Sequence, residues 1–338
     1  MMKEAMFYKP GEENDVFCGL CNHRCHIKEG KRGICGVREN QGGKLYSLVY
    51  GRLVAEHIDP IEKKPMFNFL PGSRSFSIAT VGCNFQCLHC QNADISQYPH
   101  LHDGEITGNE RRPESVVDHA VRENCASISY TYVEPTIFYE FAYDCSVLAH
   151  ERQLKNIFVS NGFMTPEVTR HLARVLDGIN IDIKGFTDDF YKKVCKARLQ
   201  PVLDNVKLMH ELGVWVEVTT LIIPGLNDSP EELRGIAKFI KGVSPAIPWH
   251  VTAFYPTYKM QDRPPTPASI LRQAREIGLE EGLRFVYEGN ISGEGGESTY
   301  CPACGEELIK RYGFSIRRNN MVDGRCGKCG EKIEGVWS

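Results

Sequence analysis

The 338-residue chain has no long apolar run: no stretch approaches the roughly 20 residues that a membrane-spanning helix needs. It has no excess of either charge, with Lys+Arg 40 against Asp+Glu 43 and a formal net charge of -3. That balance gives no electrostatic reason to expect nucleic acid or an acidic membrane surface as a partner. The opening residues MMKEAMFYKPGEEND lack the charged-then-apolar pattern of an export signal, and the chain shows no internal repeat and no low-complexity tract. A cytoplasmic location is expected, with one large core and room for small appendages.

What is abundant is cysteine, with 14 residues. In a reducing compartment so many thiols point to metal ligation rather than disulfides. Eleven of them fall into three tight groups: Cys18, Cys21, Cys25 and Cys35; Cys83, Cys87 and Cys90; and Cys301, Cys304, Cys326 and Cys329. Cys125, Cys145 and Cys195 stand alone.

Between the first and last groups, short β-branched or aromatic runs alternate with amphipathic segments, the pattern of repeated β/α units. Six strands are expected: SFSIATV (75–81), SISYTYV (127–133), NIFVS (156–160), INIDIK (179–184), WVEVTTLII (215–223) and HVTAFY (250–255), with RFVYEGN as a seventh. Helical patterns cover about 113–125, 136–152, 166–177, 188–212, 230–241 and 267–281, with Pro166 and Pro230 at first-turn positions. This α/β pattern predicts an incomplete (β/α)6 TIM-like barrel with its chemistry in the loops after the strands, although a doubly wound sheet would read similarly. The expected division is an N-terminal cysteine-rich module at 1–73, the barrel at 74–291 and a C-terminal module at 292–338.

The central loop, Cys83-x3-Cys87-x2-Cys90, supplies three thiolates where a closed structural site needs four. An iron–sulfur cubane held this way keeps one iron open. Zinc with a ligand from elsewhere is the alternative. Gly82 and Asn84 suit a backbone wrapped closely around an inorganic cluster.

The segment TVGCNFQCLHCQN resembles the signature of the radical S-adenosylmethionine (SAM) superfamily, and the pattern around it is similar to the activating enzymes of pyruvate formate-lyase. Over nearly the whole chain the likeness is greater to the AmmeMemoRadiSam radical SAM proteins, through CGLCNHRCHIKEGKRGICGVREN, DPIEKKP, FNFLPGS, YTYVEPT, NIDIKGF and the terminal Cys-x2-Cys pairs. The resemblance implies a radical SAM barrel, a [4Fe-4S] cluster on Cys83, Cys87 and Cys90, SAM at its open iron, and a 5'-deoxyadenosyl radical that abstracts hydrogen. His89 stands where the superfamily usually has an aromatic residue near the adenine, so it packs there or moves a proton. Tyr132-Val133-Glu134-Pro135 matches a Gly-Gly-Glu-Pro-like segment that contacts the methionine amine, with both glycines replaced; Glu134 as a plain helix cap is the alternative. Ser160 and Asn161 match a strand end that contacts SAM, and are also an ordinary turn. Asp182 and Lys184 share one strand face opposite Ile179, Ile181 and Ile183, and by resemblance line the SAM pocket, with a structural ion pair as the rival.

Thr219 and Thr220 are weaker pocket candidates or ordinary β-formers. His250 is a catalytic candidate or a satisfied core histidine. Cys195, among Lys192, Lys193, Lys196 and Arg198, would have a lowered pKa and donate hydrogen or touch substrate, against a bland helix-end residue. Cys125 and Cys145 read as small buried hydrophobes. The C-terminal pairs predict a zinc ribbon or a rubredoxin-like iron site. The N-terminal set fits zinc or an auxiliary iron–sulfur cluster, with His23 or His26 as substitute ligands.

The resemblance further implies a protein or peptide substrate, Memo-like proteins among the partners, and an electron donor such as ferredoxin or flavodoxin. Radical modification of a small metabolite, including methylation, is the rival enzyme reading. An iron–sulfur electron carrier is the rival outside enzymes.

Overall fold

The computed structural model describes residues 2–291, 293 and 295–338, so the expected start of the C-terminal module at 292 lies outside the described residues. Its centre is one eight-stranded sheet built from β1 (Ala55–Pro60), β2 (Arg74–Ala79), β3 (Ser127–Tyr130), β4 (Lys155–Ser160), β5 (Gly178–Asp182), β6 (Trp215–Ile222), β7 (Trp249–Ala253) and β8 (Val286–Gly289). The strands lie side by side in chain order. All neighbours from β2 to β8 are parallel, and β1 runs antiparallel on the β2 edge. The order never reverses as it would in a doubly wound sheet.

The parallel strands are covered on both faces, so their polar residues are buried too: along β2 and β3, Ser75, Ser77, Ser127 and Ser129 alternate with Phe76, Ile78, Ile128 and Tyr130, and all are buried. Every residue of β3 and β7 is buried. Helices α1 (Pro113–Arg122), α2 (Tyr139–Glu151), α3 (Pro166–Leu172), α4 (Gln200–Glu211), α5 (Pro230–Val243) and α6 (Ala268–Glu280) connect them. The six expected strands and the seventh are all present, with ends that fall within three residues of those expected: four begin one residue earlier and most stop short at the carboxyl end. Two differences stand out. The helix expected over 188–212 is split, because Pro201 cannot continue a helix through its preceding turn. A short piece with a π-helical turn at Tyr191–Cys195 ends at left-handed Lys196 (φ 59°), and α4 starts anew. Strand β1 was not expected, since AEHIDP is polar and ends in proline, which an edge position tolerates.

Residues before β1 form small antiparallel ladders, among them Val16–Cys18 with His26–Ile27 and Arg38–Gln41 with Lys44–Ser47. Their apolar side chains Val16, Leu20, Val37 and Leu45 join the main core. After β8, β9 (Thr299–Tyr300), β10 (Glu307–Tyr312) and β11 (Ser315–Asn319) make a three-stranded sheet. It has its own core of Leu308, Ile309 and Ile333 against Phe67, Phe285 and Tyr287.

Each end is also tied down by an interior ion pair. Arg38 meets Glu140 of α2. Arg311 of β10 meets Glu62, 3.5 Å away.

Candidate active site

The cysteine loop begins just past the carboxyl end of β2 and is clamped from behind. The amides of Gln86 and Leu88 donate to the carbonyls of Cys195 (3.1 Å) and Val194 (3.0 Å) in the π-helical turn. Gly82 has φ 98°, and a Cβ there would stand 2.5 Å from Cγ1 of Val37. Glycine is therefore required by the N-terminal segment packed against the loop.

Cys83, Cys87 and Cys90 open onto a cavity of about 520 Å³, within the size range of sites that hold a cofactor-sized ligand. Its wall takes residues from successive strand ends: Tyr132, Val133 and Glu134 after β3, Ser160 and Asn161 at β4, Asp182 and Lys184 at β5, and Thr219 on β6. The structure thus brings the central cysteines and all the expected cofactor contacts, His89 included, to one cavity.

Tyr132 occupies the left-handed region (φ 64°), which costs a non-glycine residue about 1–2 kcal/mol. Its neighbours hold it there: the hydroxyl donates to Asp59, Asn92 Nδ2 donates to its carbonyl (2.7 Å), and Lys64 Nζ lies 4.5 Å from the ring centroid. A tyrosine therefore takes the backbone shape for which glycine would be the easy choice. Burial pushes the Lys64 ammonium down to about 8 despite its 2.6 Å contact with Asp59.

Glu134 both caps and braces. It accepts from Thr136 N (3.0 Å), Ser160 Oγ (2.8 Å) and Asn161 N (2.7 Å), fixing the ends of β3 and β4 together. Burial raises its pKa, and those hydrogen bonds oppose the rise.

Asp182 and Lys184 pair at 2.9 Å on the cavity wall, while Ile179, Ile181 and Ile183 are buried on the other side. Burial would lower Lys184, but Asp182 and the sulfurs of Cys87 and Cys195 outweigh it and keep the ammonium charged. His89 is buried and pushed down to about 3 by burial and by Lys184, so the ring is neutral. Its Nδ1 and the Thr219 hydroxyl are buried at the cavity without a protein partner. Burial raises the Cys83 and Cys90 thiols. Three sulfurs gathered at one cavity, Cys87 buried and Cys83 and Cys90 half-buried, beside unpartnered polar atoms suit a metal cluster with a polar ligand against it.

Cys195 is wholly buried against Cys87, behind the cavity rather than on its wall. Its expected lowered pKa is overturned: burial and Cys87 raise it, because Lys192 and Lys193 point outward to Asp188 and Asp189. His250 also lies off the cavity wall, donating to Glu217 (2.6 Å) between Phe67 and Tyr287. Thr220 accepts from the Trp249 indole (3.0 Å). Cys125 and Cys145 are buried in the main core.

Several participants were not singled out from the sequence. Lys63, Lys64, Asn290 and Phe314 also line the cavity, and Glu217 receives the amides of Phe67 (3.0 Å) and Asn68 (2.9 Å) as well as His250. DPIEKKP carried a signal for Asp59 and Lys64; Phe314, on the hairpin between β10 and β11, carried none.

The C-terminal sulfurs gather into one cluster with the ligand set for a metal ion, all four ligand atoms within 4.8 Å of one another. Cys301 lies 3.7 Å from Cys329, and Cys304 3.8 Å from Cys326. The N-terminal four surround a separate cavity with His23 and Arg38. His26 turns away to Asp15 (2.5 Å) and stacks on Phe17.

Among the described residues no helix is long and apolar enough to cross a membrane. The chain is 49% identical over 336 residues to an uncharacterized protein of Methanocaldococcus jannaschii, covering 98% of this chain and 99% of that one. It is 25% identical to a pyruvate formate-lyase-activating enzyme of Clostridium pasteurianum over 51% of this chain and 71% of the relative. Among solved structures, Streptococcus suis SuiB bound to S-adenosylmethionine superposes with a TM-score of 0.52 at 13% identity, over 68% of this chain and 53% of that one. A radical SAM methyltransferase from Sphaerobacter thermophilus gives 0.51 at 16%, over 66% and 68%. Both show the shared fold. Residues 77–240 match the radical SAM superfamily, and with the cysteine loop at the head of this parallel sheet, the chain belongs to that superfamily.

Proposed function

We propose that this chain reductively cleaves SAM at a [4Fe-4S] cluster held by Cys83, Cys87 and Cys90 and directs the resulting radical to hydrogen abstraction from a protein or peptide. The observation that carries this reading is the single cavity on which these three cysteines meet the ends of β3, β4, β5 and β6. When bound, the cluster and SAM supply one-electron cleavage of a carbon–sulfur bond to give a 5'-deoxyadenosyl radical.

The chain's own residues position and shield. Backbone around Tyr132 and Val133 offers acceptors to an amine. The Lys184 ammonium, held by Asp182, suits a carboxylate or ribose oxygen, and neutral His89 with the Thr219 hydroxyl suits adenine and its sugar. Glu134 keeps two wall segments in register, and Phe85 and Val133 give apolar cover against water. Cys195 packs against Cys87 and is placed to tune it rather than to meet substrate.

The sheet is an incomplete barrel in this reading, with zinc in the C-terminal set and a cytoplasmic location. A ferredoxin or flavodoxin serves as electron donor. Relatives named as pyruvate formate-lyase-activating enzymes support a protein substrate, and Memo-like proteins are candidates for it. Anaerobically reconstituted protein with a strong reductant should convert SAM to methionine and 5'-deoxyadenosine, and Cys87→Ala should not. A wild-type protein that fails to do so overturns the reading. Deuterium carried into 5'-deoxyadenosine from labelled protein rather than labelled metabolites assigns the substrate class.

A further inference from the structure

The two four-cysteine sets offer the same ligands at different spacings. A tetrahedral zinc with Zn–S near 2.3 Å holds its sulfurs about 3.8 Å apart, which matches the C-terminal separations of 3.7 and 3.8 Å. Among the described residues that set is the one group of three or more such ligands gathered within 4.8 Å. Cys18, Cys21, Cys25 and Cys35 are not gathered in this way. They line a cavity of about 20 Å³, on a measure where one water takes about 10–15 Å³. A mononuclear tetrahedron leaves no such room between its sulfurs. The central cysteines, expected to hold a polynuclear cluster, are also spread around a cavity.

We propose that Cys18, Cys21, Cys25 and Cys35 hold a second iron–sulfur cluster rather than zinc. Ligands of a polynuclear cluster are kept apart by the cluster itself, so the wider spacing is the expected one. The surroundings agree. The Arg38 guanidinium is buried beside the set, 3.7 Å from Cys18 Sγ, and offers a cation to an anionic thiolate cluster.

The second site stands next to the first. Asn84, the residue after Cys83, lines the N-terminal cavity. Its carbonyl accepts from His23 Nε2 (2.7 Å), and its side-chain oxygen accepts from Asn161 Nδ2 (2.7 Å). Val37 and the Cys35 carbonyl pack on Gly82, the residue before Cys83. Cys21 pairs with Met164 as an isolated bridge, and Thr165 Oγ1 donates to the Gly19 carbonyl (2.7 Å), so the module is held at the loop after β4 as well.

The test is metal and acid-labile sulfide analysis of the full chain, purified and reconstituted without oxygen. Wild type should hold about eight irons with matching sulfide and one zinc. The triple variant Cys83→Ala/Cys87→Ala/Cys90→Ala should keep about half of the iron and sulfide and its zinc, and adding Cys21→Ala and Cys35→Ala should remove the remaining iron. About four irons with two zincs in wild type, or a folded triple variant without iron, overturns the proposal. The wild-type iron-to-zinc ratio decides the matter even if the triple variant does not fold. Failure of wild type to cleave SAM would overturn the radical reading while leaving this stoichiometry intact, so the two stand or fall separately.

Discussion

At the N-terminal end Arg38 and Glu140 pair in the interior, and at the C-terminal end Arg311 and Glu62 do the same, all four side chains almost wholly withdrawn from solvent. Their surroundings differ. Arg38 has few partners besides Glu140: the Met6 carbonyl (3.0 Å) and the Cys18 sulfur (3.7 Å). Arg311 sits in a cage of neutral acceptors, the Phe67 carbonyl (2.8 Å) and Thr299 Oγ1 (2.7 Å), with the Phe67 ring 4.4 Å from its guanidinium carbon. The first pair is therefore an electrostatic clamp beside a cysteine site, and the second a hydrogen-bonded peg in which the carboxylate is one partner among several. A buried ion pair is judged by what remains when one member leaves.

The largest contrast should come from metal withdrawal. Stripping the exposed C-terminal site with a chelator should unfold residues 299–338 and lift hydrogen-exchange protection there, because so short a module depends on its metal. The same treatment should leave β2 to β7 protected. A ribbon that stays protected without metal would mean that Arg311 and its apolar core suffice.

Next, Glu140→Ala should cost about 3–5 kcal/mol in urea unfolding, and Glu62→Ala about 1–3 kcal/mol because Arg311 keeps the Phe67 carbonyl and the Thr299 hydroxyl. Equal costs would erase the distinction between clamp and peg.

Smaller still is a pH effect. Burial raises the Glu62 pKa, with Arg311 opposing the rise. A raised folded-state pKa stabilises below the ordinary carboxylate value, and that contribution is lost as pH climbs through the folded one. Wild type should therefore lose stability relative to Glu62→Gln across that window, by about 1.4 kcal/mol for each pKa unit of the shift. A constant difference between the two proteins from pH 4 to pH 8 would show that the carboxylate is not titrating there.

The smallest effect on stability, within about 0.5 kcal/mol, is expected for Phe314→Ala, since the side chain is 47% exposed. Because Phe314 lines the cavity from the C-terminal hairpin, the variant should cleave SAM without substrate at the wild-type rate and lose turnover of substrate. Equal turnover would confine the C-terminal module to scaffolding.

The sheet was legible because short runs rich in β-branched and aromatic residues recur between amphipathic segments, and β2 to β8 keep that pattern although buried polar residues such as Ser77, Ser129 and Asn180 alternate with the apolar ones. The cysteine groups were legible because ligand spacing is local. What escaped depended on tertiary neighbours. AEHIDP shows no strand pattern until an open edge beside β2 accepts it. The Glu217 network around His250 is invisible to periodicity, since a carboxylate in a central strand reads as a surface position. The pKa of Cys195 went the other way because nearby cations in sequence turned outward in space. Two glycines are replaced before Glu134 in the segment that the resemblance assigns to SAM, yet Asp59, Asn92 and Lys64 hold Tyr132 in the shape that glycine would give.

Strand β1 bears on how this chain could be divided. It comes from the stretch just before the cysteine loop, yet it covers the outer ladder of β2 with pairs running from Ala55↔Ala79 to Pro60↔Arg74. A chain cut at residue 73 would uncover a row of backbone donors and acceptors at the strand that leads into Cys83. Such an edge recruits other chains, so the shortened protein would be expected to form oligomers or precipitate before any question of catalysis arose.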